Sequence, residues 1–251
     1  METTTQKPLL KHLADFEQAL KNYTPSKKTV EILKGMPLVS LIGPTASGRN
    51  TLINLLIQSG RYHVVVSDTT RKPRSNNGVM EQNGVEYWFK SEEEFLKGLQ
   101  DGVYLEAAII HKQQVSGINS ADIEAASKAD KIAINEIEIN GAGNLHKFKP
   151  DTLFIFLLPP SFDVWMERIR GRGDVDEAEL YRRLESALTE ISSALQEDYY
   201  QFVVNYEIHE AAAAVDEIAN GRALDDEKQQ IGKDHAEQLL VDIQLFLAAE
   251  R

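Results

Sequence analysis

Residues 37–51, PLVSLIGPTASGRNT, constrain this chain more than any other segment. A short apolar run ends in Gly43, a second glycine follows at Gly48, and Thr51, Leu52, Leu55 and Leu56 then fall at helical spacing. Strand, glycine loop and helix in that order are what a phosphate cradle needs, because small residues let successive backbone N–H groups curl around an oxyanion at a helix N-terminus. Gly43 and Gly48 have the GxxxxG spacing of such a loop. Arg49 stands where the pattern carries lysine, and Asn50 where it carries Ser or Thr. Arg49 keeps the cation but exchanges a compact ammonium for a wide planar fork. Asn50 offers a neutral carbonyl oxygen to Mg²⁺, with Thr51 beside it. Read alone, the loop fits a glycine-rich turn that binds nothing equally well.

Apolar runs at 63–66 (HVVV), 131–139 (KIAINEIEI) and 152–158 (TLFIFLL) predict further buried strands separated by polar helical segments, and FVVN at 202–205 predicts a last one. This alternation predicts an α/β core in which helices cover a mainly parallel sheet. Leu180, Leu184, Ala187, Leu188, Ile191 and Leu195 mark one long amphipathic helix. Leu239, Leu240, Ile243, Phe246 and Leu247 mark a final helix, after a charged stretch at 220–234 expected to be a loop. Upstream, Leu10, Leu13, Phe16 and Leu20 and the run from Thr29 to Leu33 make residues 1–36 a helical N-terminal extension. The apolar stripes of these terminal helices fit either a cap on the core or a homodimer interface.

A formal charge of −12 argues against a nucleic-acid coat or a binder of anionic membranes, which need surplus Lys and Arg. With no cysteine, disulfides, thiolate zinc sites and Cys nucleophiles are excluded. Acids and lysines interrupt the apolar runs of the first twenty residues, unlike a signal peptide, and no run approaches the roughly 20 apolar residues of a membrane span. A cytoplasmic location is the expectation.

Residues 67–89, SDTTRKPRSNNGVMEQNGVEYWF, place Arg71 and Arg74 around Pro73, with Lys72 between them and Tyr87 further on. Two guanidinium forks on a proline-stiffened turn suit a phosphate monoester, although a solvated basic turn has the same composition. Ser67-x-Thr69-Thr70-Arg71-x-Pro73-Arg74 followed by Gly84-Val85-Glu86-Tyr87-x-Phe89, behind a phosphate loop, resembles the acceptor arm of the guanylate kinase family of P-loop nucleoside monophosphate kinases. The resemblance continues through 92–106 (EEEFLKGLQDGVYLE), 136–141 (EIEING), 154–161 (FIFLLPPS), 168–173 (RIRGRG) and 181–187 (YRRLESA).

That resemblance implies a P-loop kinase fold: an α/β domain with a parallel sheet core at 37–215, an inserted GMP-binding arm at about 67–118 and a helical lid at about 168–185. Residues 216–251 would add a charged loop and a C-terminal helix. It implies Mg²⁺-dependent transfer from ATP to GMP, giving ADP and GDP. Gly43, Thr45, Ala46, Ser47, Gly48, Arg49, Asn50 and Thr51 would hold ATP, with Asn205 near the adenine and Asn50 as the Mg²⁺ ligand. Ser67, Arg71, Arg74, Tyr87, Glu106, Ser116 and Glu136 would bind GMP. Glu106 is implied as the base reader, since a carboxylate accepts from guanine N1–H and the 2-amino group, which adenine does not offer. Arg49, Arg168, Arg172 and Arg183 are implied as catalytic cations over the transferred phosphoryl group, with Gly171 and Gly173 flanking Arg172. Arg170 and Arg182 read as solvated.

Two departures from the family pattern accompany these roles. Val115, Ser116 and Gly117 align where the family carries Tyr, Gly and Ser or Thr, so that Val115 stands in for a phosphate-binding phenol. Glu136 and Glu138 replace two aspartates. A non-catalytic binding module that keeps the arm as a recognition surface, and a kinase for another nucleoside monophosphate, stay open as alternatives. Neither nucleic acid nor membrane is an expected partner.

Overall fold

The computed structural model describes residues 9–76, 78–110, 112–171, 175–222 and 224–249. They begin with helices α1 (Leu13–Lys21) and α2 (Lys27–Leu33), followed by strand β1 (Leu38–Ile42), helix α3 (Arg49–Gln58) and strand β2 (Tyr62–Val64). Short strands β3 (Asp68–Thr69), β4 (Ser75–Asn76), β5 (Val79–Met80) and β6 (Trp88–Phe89) lead to helix α4 (Glu92–Asp101). Strands β7 (Tyr104–Ile110) and β8 (Gln114–Asn119), helix α5 (Ser120–Lys128), strand β9 (Ile132–Glu136) and helix α6 (Ile139–Phe148) come next. Strand β10 (Leu153–Leu158), helices α7 (Phe162–Arg170) and α8 (Glu177–Leu195), strand β11 (Tyr200–Val204) and helices α9 (Ile208–Ala219) and α10 (Asp226–Ala249) follow.

These elements form two compact units. One holds the described residues of Met1–Met36 with Val65–Ala129 and Gly143–Asp151; the other holds Pro37–Val64, Asp130–Ala142 and the described residues of Thr152–Arg251. The second unit is built on a parallel sheet in the order β11-β10-β1-β9-β2, as the alternating pattern predicts. Every residue of β1 is buried, which fits a central strand covered on both faces. Leu52 and Leu56 of α3 and Val215 and Ile218 of α9 join Val39, Leu41 and Ile155 in its core.

At the edge of this sheet, the Gln229 side chain substitutes for a further strand: its Oε1 accepts from Phe202 N at 3.0 Å and its Nε2 donates to Tyr200 O at 2.7 Å. Helix α10 lies close enough to do this because residue 232 is glycine. A Cβ there would sit 2.6 Å from Phe202 Cβ. The charged stretch 220–234 is therefore mostly helix, contrary to the loop expected, since α10 starts at Asp226 and is fixed by Gln229 and Gly232 rather than by an apolar stripe. Further along α10, Ala236, Leu239, Ile243 and Leu247 are buried against the unit's own core.

The first unit carries a mixed sheet, β6-β3-β8-β7, with β8 antiparallel to both neighbours and β6 parallel to β3. Helix α4 starts at a full capping box of Ser91 and Glu94. It packs Phe95 and Leu99 with Tyr104 and Val115, and Leu10 and Phe16 of the N-terminal segment complete the same cluster.

Several elements differ from the sequence reading. Strand β9 stops at Glu136, so Glu138 lies past its end and Ile139 opens α6. Strand β2 ends at Val64 rather than at residue 66. The alanine-rich segment Ile208–Ala219, with no strong charge pattern to announce it, forms α9. No described helix is long and apolar enough to cross a membrane.

Candidate active site

Strand β1 delivers the backbone to Gly43, and α3 begins at Arg49 with Gly48 as its N-cap. Between them the backbone changes hand repeatedly, with φ of 140° at Gly43, 63° at Ala46 and 109° at Gly48. Such alternation turns successive N–H groups to one side and makes a concave anion nest. The first N–H groups of α3 have no intrahelical acceptor and carry the positive end of the helix dipole. Ala46 holds a left-handed conformation without glycine's freedom, a cost of about 1 kcal/mol.

The nest is braced by buried donors on its outward-turned carbonyls. Trp165 Nε1 donates to Thr45 O at 2.7 Å, and Asn205 Nδ2 donates to Ser47 O at 2.8 Å. Trp165 and Asn205 are both buried. Asn205, expected near the adenine, is thus a brace of the loop in this structure. Gly48 is required twice, by its φ and because a Cβ would collide with the Asn205 amide.

Arg49 is the first residue of α3, and its Nη2 meets Glu136 Oε1 at 2.9 Å, at the C-terminal end of β9. Glu136, grouped with the acceptor residues by resemblance, is therefore the partner of the loop cation. Asn50 and Thr51 are exposed in the first turn of α3. Among the described residues, no group of His, Asp and Glu forms a cluster able to hold a metal.

Glu190 lies within electrostatic reach of Arg49 and Glu136. Burial pushes the Glu190 carboxyl of α8 up to about 7; Arg49 opposes the shift, and Glu138 and Glu136 add to it. In the unfolded chain this group loses its proton near the ordinary carboxylate value, so the folded state binds the extra proton between about 4.5 and 7. Stability drawn from neutral Glu190 is then lost as pH rises through that window. Glu190→Gln is expected to match the wild-type unfolding temperature near pH 5 and to exceed it progressively up to pH 8, measured by thermal melts across that range. A gap independent of pH would contradict this.

The other implied catalytic arginines lie on α7 and α8. Arg168 is half-buried in the last turn of α7. Arg183 Nε donates to Glu179 Oε1 at 2.8 Å, and Arg182 pairs with the same carboxylate while remaining largely exposed. Arg170 is exposed. Arg172 and Gly173 lie outside the described residues.

The acceptor arm is organised around a carboxylate that the motif reading missed. Arg71 makes a two-pronged pair with Glu81, Nη2 reaching Oε1 at 2.8 Å and Nη1 reaching Oε2. The Arg71 guanidinium lies 4.6 Å from the Tyr87 ring centroid, so the phenol backs the cation. Arg74 N also donates to Glu81, and Arg74 Nη2 reaches Gln114 Oε1 at 3.4 Å. The Arg71 guanidinium holds the Glu81 carboxyl at about 2. A sequence signal existed, since Glu81 falls within the quoted arm, but its pairing arises from the β4–β5 turn.

Strand alternation settles the neighbouring departure. Val115 is fully buried in the cluster with Phe16 and Phe95, so it fills core and is not the pocket position. Its neighbour Ser116 points to the other face, where Oγ donates to Thr69 Oγ1 at 2.9 Å. Glu106 is half-buried on β7, and Ser67 O accepts from Trp88 N at 3.0 Å beside β3.

The guanylate kinase family model matches residues 35–222. The guanylate kinase of Corynebacterium diphtheriae is 38% identical over 187 residues, covering 74% of this chain and 95% of that protein. That of Clostridioides difficile is 35% identical over 188 residues, covering 74% and 88%. Among solved structures, guanylate kinase from Anaplasma phagocytophilum superposes with a TM-score of 0.54 at 26% identity, covering 76% of this chain and 87% of the other.

Proposed function

This chain belongs to the guanylate kinase family, and from that premise we propose that it transfers a phosphoryl group from ATP to GMP, giving ADP and GDP. The observation that carries the reading is the Arg71 fork, which already grips a planar two-oxygen anion through both terminal nitrogens. Its five N–H donors exceed what Glu81 takes, which supports Arg71, with Arg74, Tyr87 and Ser116, as the holder of the GMP phosphate. Glu106 reads the guanine and Ser67 assists it. The braced nest of Gly43, Thr45, Ala46, Ser47, Gly48, Asn50 and Thr51 holds the ATP phosphates.

An oxygen of the GMP phosphate attacks the γ-phosphorus of ATP. The bond from that phosphorus to the β,γ-bridging oxygen breaks, and ADP departs with the electron pair. The attacking oxygen is already anionic, so positioning and positive charge dominate over base catalysis. Arg49, oriented by Glu136, and Arg168, Arg172 and Arg183 supply that charge. Mg²⁺ neutralises the nucleotide phosphates when bound, and Asn50 offers the exposed neutral oxygen that suits a hard cation. A cytoplasmic location is part of this proposal.

A coupled assay with ATP and Mg²⁺ against GMP, dGMP, AMP, CMP and UMP tests the reading. The guanine nucleotides are expected to turn over about 10,000-fold faster than the others, the scale on which a site built to pair with a polar edge rejects a mismatch. No turnover with any acceptor would leave a binding module. Turnover led by another base would remove Glu106 as the reader.

A further inference from the structure

The resting place of the N-terminal segment gives it more than a covering role. Strand β7 is the edge of its sheet, and an edge residue turns its N–H and C=O outward without a strand to receive them. At Tyr104 both groups are taken by one phenol: Tyr23 Oη accepts from Tyr104 N at 3.0 Å and donates to Tyr104 O at 2.7 Å. A hydroxyl can do one of each at once. Burial pushes the Tyr23 phenol up to about 12, so the donated proton stays in place throughout the neutral range.

The position of this clamp matters because the strand is irregular immediately after it. Tyr104 pairs with Asn119, yet Glu106 pairs with Ile118, so the register shifts between Tyr104 and Glu106. A bulge of this kind re-aims the side chain that follows it. The side chain of Tyr104 is fixed as well: its hydroxyl donates to Asp68 Oδ2 at 2.8 Å, and its ring stacks on Phe95 at 4.3 Å. Asp68 directly follows Ser67 in the chain. One network thus runs from Tyr23 to both residues that face the base in the proposed reaction.

We propose that Tyr23, which precedes the family match beginning at residue 35, is a positioning residue for the acceptor: its hydroxyl pins β7 at Tyr104 and so aims Glu106 at the guanine. This rests on Glu106 reading guanine as set out above. Phe16 and Leu10 anchor the segment by burial, whereas the hydroxyl of Tyr23 adds aim rather than bulk.

Tyr23→Phe keeps the ring and removes the clamp. Steady-state kinetics with each substrate varied in turn are expected to show KM for GMP rising about five- to tenfold, the worth of a hydrogen bond, and the preference for GMP over AMP falling, with KM for ATP unchanged. Amide hydrogen exchange is expected to speed up across residues 103–107 and not in β1. Unchanged KM for GMP overturns the proposal, as does an equal rise in both KM values accompanied by a lower melting temperature. If the wild-type protein does not phosphorylate GMP, the proposed function fails on its own account. Exchange at 103–107 then decides the clamp, and unaltered exchange in Tyr23→Phe rejects it.

Discussion

Replacing Arg71 with alanine is expected to cut kcat/KM for GMP about 1,000-fold, while KM for ATP stays within about twofold. Two charge-assisted hydrogen bonds to the acceptor phosphate, at about 2 kcal/mol each, amount to about 4 kcal/mol, or three powers of ten. Arg71→Lys keeps the charge but loses the fork, and is expected to recover less than about a tenth of the lost activity. The structural side effect is predictable too. Glu81 loses the guanidinium that keeps its carboxyl at about 2, and removing one partner from this part-buried pair weakens the arm. The pair's contribution is fully present above the ordinary carboxylate range and disappears as pH falls toward 2, so the variants are best compared near pH 7.5 with circular dichroism to confirm folding. A loss under tenfold in folded Arg71→Ala would remove this residue from the phosphate site.

Arg49→Ala is expected to lower kcat about 1,000-fold with little change in KM for GMP, because a cation at the transferred group acts where charge develops in the transition state. The more discriminating variant is Arg49→Lys. The fork meets Glu136 at 2.9 Å, and a shorter-reaching ammonium on a flexible stem does not reproduce that geometry. A fall in kcat of about tenfold is expected. By its resemblance to the family, the chain has arginine in place of a loop lysine and glutamate in place of a strand-end aspartate, and the two replacements meet each other. Arg49→Lys combined with Glu136→Asp should therefore recover activity relative to Arg49→Lys alone, a non-additivity read by a double-mutant cycle on kcat. Strict additivity of the two losses would show that the pair is not a unit.

The phosphate loop was legible because everything that makes it is local: an apolar run, two glycines at fixed spacing and a helical pattern on the far side. Pairings made over distance were not. Glu81 looked like one more acid in a polar turn, and nothing in its neighbours announces that the β4–β5 turn brings it back onto Arg71. Val115 aligns with a phenol of the family pattern yet lies in the core, because side chains alternate faces along a strand and a single step exchanges core for pocket. Glu190 lies next to Ile191 in a stripe that reads as ordinary amphipathic helix. Tyr23 carries no motif at all, because its partner is a backbone 81 residues away. The start of α10 escaped notice for the opposite reason to a buried strand: its first two turns are polar, and what fixes them is a glutamine amide and a missing Cβ.

That glutamine has a bearing on solubility. The outer edge of β11 would otherwise present a free amide at Phe202 and a free carbonyl at Tyr200, the template on which strands of neighbouring molecules add. Gln229 closes it with one side chain, from a helix that begins after the family match ends at residue 222. The C-terminal addition thus occupies, with a side chain, the place on β11 where a strand of another molecule would add.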